Sequence, residues 1–111
     1  MADALSVAHF PLFYAQRRQL ADLATKGRLA WVAESRQYAE AGSLRSYGAD
    51  AADLVRRSAT YVDRILKGAN PGMLPIEQAA KFEFVIDLKT AKALGLAIPQ
   101  SVLVRADEVI E

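Results

Sequence analysis

The sequence predicts an α/β fold, a three-stranded parallel βαβαβ sheet followed by a long C-terminal helix, an added strand and short terminal helices. Three observations carry that prediction. Short apolar runs of strand length lie at 4–8 and 29–33, and a third strand is expected over 44–47. Segments with helical spacing lie between them. The connections are short and carry glycines, Gly27 and Gly42. Strand–helix–strand–helix–strand order with short links marks parallel βαβ units, whose crossovers are almost always right-handed.

Each element has its own reason. The run 4–8 reads as a buried strand, and Pro11 then punctuates the chain. A helix is expected over 12–26, with Phe13, Gln16, Leu20, Leu23 and Ala24 on one face. Lys26 in its last turn complements the helix dipole, and Gly27 supplies the stop. Ser35 is placed to cap a short helix over 36–41, closed by Gly42. Asp50 is a good N-cap for the strongest helix of the chain, which runs to Gly68 with Asp53 in its first turn and Lys67 in its last. Leu54, Ser58, Tyr61, Val62, Ile65 and Leu66 form what should be a buried stripe. Asp63 and Lys67 form an i,i+4 pair worth about 0.3 kcal/mol. Asn70-Pro71-Gly72 is a turn. Residues 82–88 alternate, with Phe82, Phe84, Ile86 and Leu88 on one face and Glu83 and Asp87 on the other. A strand with one wet face is expected at a sheet edge or in an antiparallel ribbon. A short helix over 89–94 is stopped by Gly95, and Pro99 and Ser101 open a last helical turn or two over 102–106.

The bulk numbers bound the function. The chain has 111 residues, the size of one small domain spanning 1–111. Its apolar fraction of 52% argues against disorder. A formal charge of +1 offers no electrostatic reason for a nucleic-acid partner or an anionic membrane. The absence of cysteine removes disulfides, thiolate metal sites and thiol nucleophiles. The first ten residues lack a basic region, and Asp3, Ser6 and His9 interrupt their apolar run. They do not read as a signal peptide, so the chain as written is expected in the cytoplasm. No stretch approaches the ~20 apolar residues that membrane insertion needs. There is no glycine-rich phosphate loop, zinc pattern or nucleophile motif. Glu34, Glu40, Glu83 and Asp87 are not spaced to put two carboxylates at one bond. Arg17-Arg18 and Arg56-Arg57 lie on helices near acids and read as solvated faces. No catalytic residue, metal ligand or cofactor is expected, and the chain does not read as an enzyme.

Several segments, taken in order, carry a family resemblance. They are Ala2-Asp3-Ala4-Leu5 with Pro11-Leu12-Phe13-Tyr14 and Arg17-Arg18; Glu40-Ala41-Gly42-Ser43-Leu44 with Ser46-Tyr47-Gly48; Tyr61 to Gly68; Lys81 to Leu96; and Ala106 to Glu111. Their order and spacing resemble the bacterial ABC transporter substrate-binding proteins of the tryptophan/tyrosine type, which have the type I periplasmic-binding-protein fold. The resemblance implies a two-lobed clamp that closes by a hinge on an amino-acid-like small-molecule solute and presents it to an ABC permease. It implies a periplasmic or membrane-anchored extracytoplasmic location for a full-length relative. This chain would be the second lobe and C-terminal crossover, with the first lobe absent. In parallel sheets ligands sit beyond the C-terminal strand ends. Here those loops offer His9, Phe10 and Pro11; Glu34 and Ser35; and Tyr47 and Asp50. Relatives commonly carry an aspartate where this chain has Phe10, and a phenyl ring cannot pair with a ligand ammonium.

Each of these residues has a plainer reading. His9 is either an ordinary strand-end histidine or a cleft contact. Asp50 either caps a helix or receives a ligand amine. Tyr47 and Phe10 either pack or stack on an apolar ligand. Two functions follow. The first is a solute-binding protein portion. The second is a truncated, stand-alone homodimeric α/β module with no transport activity. A homodimer, with exchange of the C-terminal arm as one route, would cover Leu54-Tyr61-Val62-Ile65 and Phe82-Phe84-Ile86.

Overall fold

The structure is a computed structural model that describes residues 2–111. The chain divides into two compact units, one of residues 1–48 with 83–111 and one of residues 49–82.

The first unit is built on a sheet. Its strands are β1 (Ala4–Ser6), β2 (Ala30–Ala33), β3 (Arg45–Ala49), β4 (Phe82–Asp87) and β5 (Glu108–Ile110), and they lie side by side in chain order. The predicted parallel βαβαβ layer is present: Leu5 pairs with Trp31 and Ala33 with Ser46, both in parallel register. Beyond it the sheet is mixed. The Asp87 N–H donates to the Leu44 carbonyl (2.9 Å), and the Tyr47 ring meets the Phe84 ring edge-on (6.2 Å). One strand number rises as the other falls, so β4 runs antiparallel to β3. β5 then pairs parallel to β4, Ile86 against Val109. This places β4 inside the sheet, so of the two expected placements, a sheet edge or an antiparallel pairing, the second is the one found. Val85, Ile86 and Asp87 are all buried. Asp87 is tolerated there because its Oδ1 caps α5 (Leu88–Leu94), accepting from the Lys89 and Thr90 N–H groups (2.9 and 3.3 Å). β5 has too few apolar residues, Val109 and Ile110, to announce itself in the sequence.

The first strand corrects another expectation. β1 is the sheet edge, and all three of its residues are exposed; burial begins only at Val7. The helix expected over 12–26 is two helices, α1 (Pro11–Ala15) and α2 (Arg17–Lys26), separated at Gln16, whose φ of −102° and ψ of 22° depart from helix geometry. Pro11 occupies the first helical position, where its missing N–H costs nothing. After α2 it is Arg28, not Gly27, that takes the left-handed conformation, with φ of 51°. α3 (Arg36–Ala41) starts after Ser35 as expected, but the Ser35 side chain makes no capping bond.

The core forms where α2 and α3 meet this sheet. Val7, Ala21, Ala24, Trp31 and Tyr38 cluster there, with Leu20, Leu29 and Ala33 packed against them. The Trp31 and Tyr38 rings meet edge-on at 5.9 Å, 87° apart, an arrangement that suits their quadrupoles. A short helix, α6 (Gln100–Leu103), precedes β5.

The second unit is one long helix, α4 (in chain order between β3 and β4; Ala51–Leu66), and the segment that follows it. Asp50 caps α4, its Oδ1 accepting from the Asp53 N–H (3.0 Å). That bond, followed by the neighbouring Lys81 ammonium, holds the Asp50 carboxyl below its ordinary pKa. Lys67 and Asp63 pair at 3.0 Å as expected. A 3-10 turn over Pro71–Met73 reverses the chain. The returning segment is tied to α4 by Arg57 with Glu77 and by the Tyr61 hydroxyl, which donates to the Pro75 carbonyl (2.7 Å). The expected buried stripe is not buried: Leu54, Val62, Ile65 and Leu66 are all exposed, and no residue of α4 is buried. The turn and the short returning segment 74–81 do not cover a four-turn helix.

Candidate functional site

The C-terminal ends of the parallel strands converge in the first unit. Ser6 to His9 leave β1, Val32 to Glu34 leave β2, and Arg45 and Tyr47 belong to β3. Together they line an open depression of about 420 Å³. Its floor is mostly apolar, and its polar groups are few, the usual character of a small-molecule site.

The parallel register explains which residues meet. Val32 lies beside Arg45, so alternate positions on both strands share one sheet face. Trp31 and Ser46, one residue out of phase, point to the helical side and are buried. The same alternation brings Val32, Arg45 and Tyr47 to the depression. Glu34 is fixed by a close backbone approach. A side chain on Gly48 would put its Cβ 1.8 Å from the Glu34 carbonyl oxygen, so only glycine fits there. Next in the chain, Arg36 anchors α3 through Glu40 (2.8 Å), Glu83 (3.3 Å) and Glu108. Its bonds to Glu40, then to Glu108, raise the guanidinium pKa well above its already high value. Glu34 and Ser35 are therefore held between a tight strand contact and an ionic cluster.

At the rim, His9 Nδ1 lies 2.9 Å from Glu34 Oε1. The His9 side chain is 71% exposed and that of Glu34 35%. The other carboxylate oxygen, Glu34 Oε2, is enclosed and has no hydrogen-bond partner among the described residues, as is Ser35 Oγ. Beneath the loop, burial first and the Glu34 charge second raise the pKa of the Tyr38 phenol.

Of the residues predicted from sequence, the structure brings His9, Glu34 and Tyr47 together around the depression. Phe10 and Pro11 lead from His9 into α1 and do not line it; the Phe10 ring meets Phe13 edge-on at 5.5 Å. Ser35 sits behind Glu34. Asp50 belongs to the second unit, where it caps α4. Sequence reasoning did not single out Val32 or Arg45. Their signal was the two-residue period, legible only once the pairing of β2 with β3 is known. Among the described residues no cluster of histidines, cysteines and carboxylates has metal-site geometry, and no helix is long and apolar enough to cross a membrane.

A mixed α/β sheet with an open polar-rimmed depression at its strand ends belongs to the periplasmic-binding-protein-like class. Residues 13–110 match the model of the family described as ABC transporter substrate binding protein, and the chain belongs to that family. Three solved structures are similar. A conserved domain protein from Vibrio cholerae is 27% identical, with a TM-score of 0.92 over 97% of this chain and 36% of its own. An ABC domain in complex with L-Trp from Streptococcus pneumonia is 28% identical, with a TM-score of 0.91 over 98% of this chain and 37% of its own. A ligand-free, open substrate-binding protein with adhesive properties from Clostridium difficile is 18% identical, with a TM-score of 0.65 over 97% of this chain and 36% of its own, a likeness of fold alone. The chain thus spans little more than a third of the length of these structures. No curated protein matches it in sequence. The family is in general one of binding proteins rather than enzymes, and is typically extracytoplasmic.

Proposed function

We propose that this chain contributes one wall of a solute-binding cleft for amino-acid-like small molecules, as the second lobe and C-terminal crossover of an ABC transporter receptor. The observation that carries this reading is the depression at the strand ends, lined by His9, Glu34 and Tyr47, in a member of the substrate-binding family. A neighbour of 28% identity was solved with L-Trp, which makes aromatic amino acids the first solutes to try. Tyr47 and Val32 supply apolar contact; His9 and Glu34 supply polar contact. Phe10, Pro11, Ser35 and Asp50 are the flanking positions of the same strand-end loops. Loading would be followed by presentation to an ABC permease outside the cytoplasm. The chain itself performs no chemistry in this scheme.

A thermal-shift and calorimetric screen of the chain against amino acids tests the reading. A solute at a hundredfold excess over its dissociation constant adds about 2.7 kcal/mol of stability. A flat response across the panel removes it.

A second reading is favoured by one observation, the uncovered stripe of α4. On it the chain is a homodimeric module that buries Leu54, Val62 and Ile65 against a second copy. Light scattering that returns a monomer at micromolar concentration removes this alternative.

A further inference from the structure

The His9–Glu34 pair has a geometry that an ordinary surface ion pair does not need. Glu34 has two carboxylate oxygens in different situations. Oε2 is closed off from solvent and unpartnered, so nothing arriving from the depression reaches it directly. Oε1 is held by His9 Nδ1 at 2.9 Å. Because the carboxylate only accepts, the ring nitrogen facing it carries the proton. His9 itself is mostly exposed and comes from the chain just after the edge strand β1, so it is free to swing outward. Glu34 is less free: its backbone carbonyl lies against Gly48, the chain continues into the Arg36 cluster, and one of its carboxylate oxygens is enclosed. One partner of the pair is held more firmly and the other is displaceable.

The geometry points to Glu34 as the anchor for a cationic group of the solute, with His9 as an occupant that the solute displaces. This rests on the solute-binding reading above. The imidazole N–H fills the position on Oε1 that a ligand ammonium would take. Exchange trades one N–H···O bond from the imidazole for a charge-assisted ammonium–carboxylate bond. Arg45, on the same face and in no ion pair among the described residues, leaves the depression with one acid and one base, a match for a zwitterion.

The test compares three probes on the full chain: L-tryptophan, tryptamine, which keeps the ammonium, and 3-(indol-3-yl)propionate, which lacks it. Binding is followed by calorimetry and by the ring resonances of His9, the single histidine. The two amines should bind more tightly than the acid and move the His9 resonances. Glu34→Gln should weaken both amines about tenfold, leave the acid unchanged and abolish the preference. His9→Gln should tighten the amines several-fold, because their competitor is weakened. A His9→Gln variant that binds amines more weakly, or a Glu34→Gln variant that keeps the amine preference, overturns the inference while leaving solute binding in place. A wild-type chain that binds none of the three overturns the solute-binding reading with it. Circular dichroism on both variants excludes unfolding as the cause.

Discussion

The sheet unit and the helix unit use apolar residues in opposite ways. Every fully buried hydrophobic residue of the described chain, from Val7 to Ala91, lies in residues 1–48 and 83–111. Residues 49–82 bury none of theirs; Leu66 is 81% exposed and Ile76 100%. Yet α4 is the longest helix, is properly capped, and carries the most regular apolar stripe. The lesson is that amphipathic pattern and capping specify a helix but do not cover it. Stability of a helix comes mostly from what packs on its apolar face. The sheet unit has that cover over β2 and α3, and α4 is held within its own unit by local bonds: the Asp50 cap, Arg57 with Glu77, and Tyr61 to Pro75.

The largest effect that would sharpen this contrast is expected from Trp31→Ala. Trp31 is 1% exposed and packed on Tyr38, so its removal should cost about 3–5 kcal/mol. Urea unfolding followed by circular dichroism reads this, since Trp31 is the only tryptophan. A cost under about 1 kcal/mol would mean that the sheet unit has no real core. Next comes Gly48→Ala. The added methyl meets the backbone of Glu34, which cannot rotate away, so strand separation or a bent β3 should cost about 1–3 kcal/mol. The same variant should also displace Glu34 and lose amine binding; unchanged stability and binding would show that β3 yields easily.

Smaller effects are expected in the helix unit. Asp50 has a lowered pKa because its carboxylate accepts the Asp53 N–H and faces Lys81. Its contribution is therefore fully present above the ordinary aspartate value near 3.9 and is lost as pH falls through the lower folded value. Asp50→Asn, which still caps, should flatten the acid dependence of α4 helicity in that window. Asp50→Ala should reduce α4 protection from hydrogen exchange at neutral pH as well. An acid profile identical to wild type for Asp50→Asn would take the cap out of the account. The smallest effect is expected from Leu66→Ser, within about 0.5 kcal/mol in a monomer, because the side chain is already in water. A loss of 2 kcal/mol or more, about the cost of exposing a buried leucine, would mean that α4 has a cover in solution and would favour the homodimer.

Much of this was legible in the residues. The strand–helix rhythm marked the three parallel strands, while Asp50 and Asp53 marked the start of α4 and Gly95 the end of α5 through contacts a few positions apart in the chain. The ordered segments also carried the family resemblance that the match over 13–110 bears out. The strand-end rule placed His9, Glu34 and Tyr47 around one depression, but it could not place Arg45, whose role depends on the register of β2 with β3.

The amino-acid order alone therefore determined most of the helix and strand segments, β5 excepted, since dihedral preference and hydrophobic period act locally, and the strand–helix–strand order with short links made β1, β2 and β3 parallel. Only the tertiary structure decided that β4 lies inside a mixed sheet, that β1 is an exposed edge, that α4 stays uncovered, and that Glu34 presents one accessible oxygen to His9. Those outcomes depend on which surfaces far apart in sequence come to cover one another, and a side chain's own chemistry carries no record of its eventual neighbour.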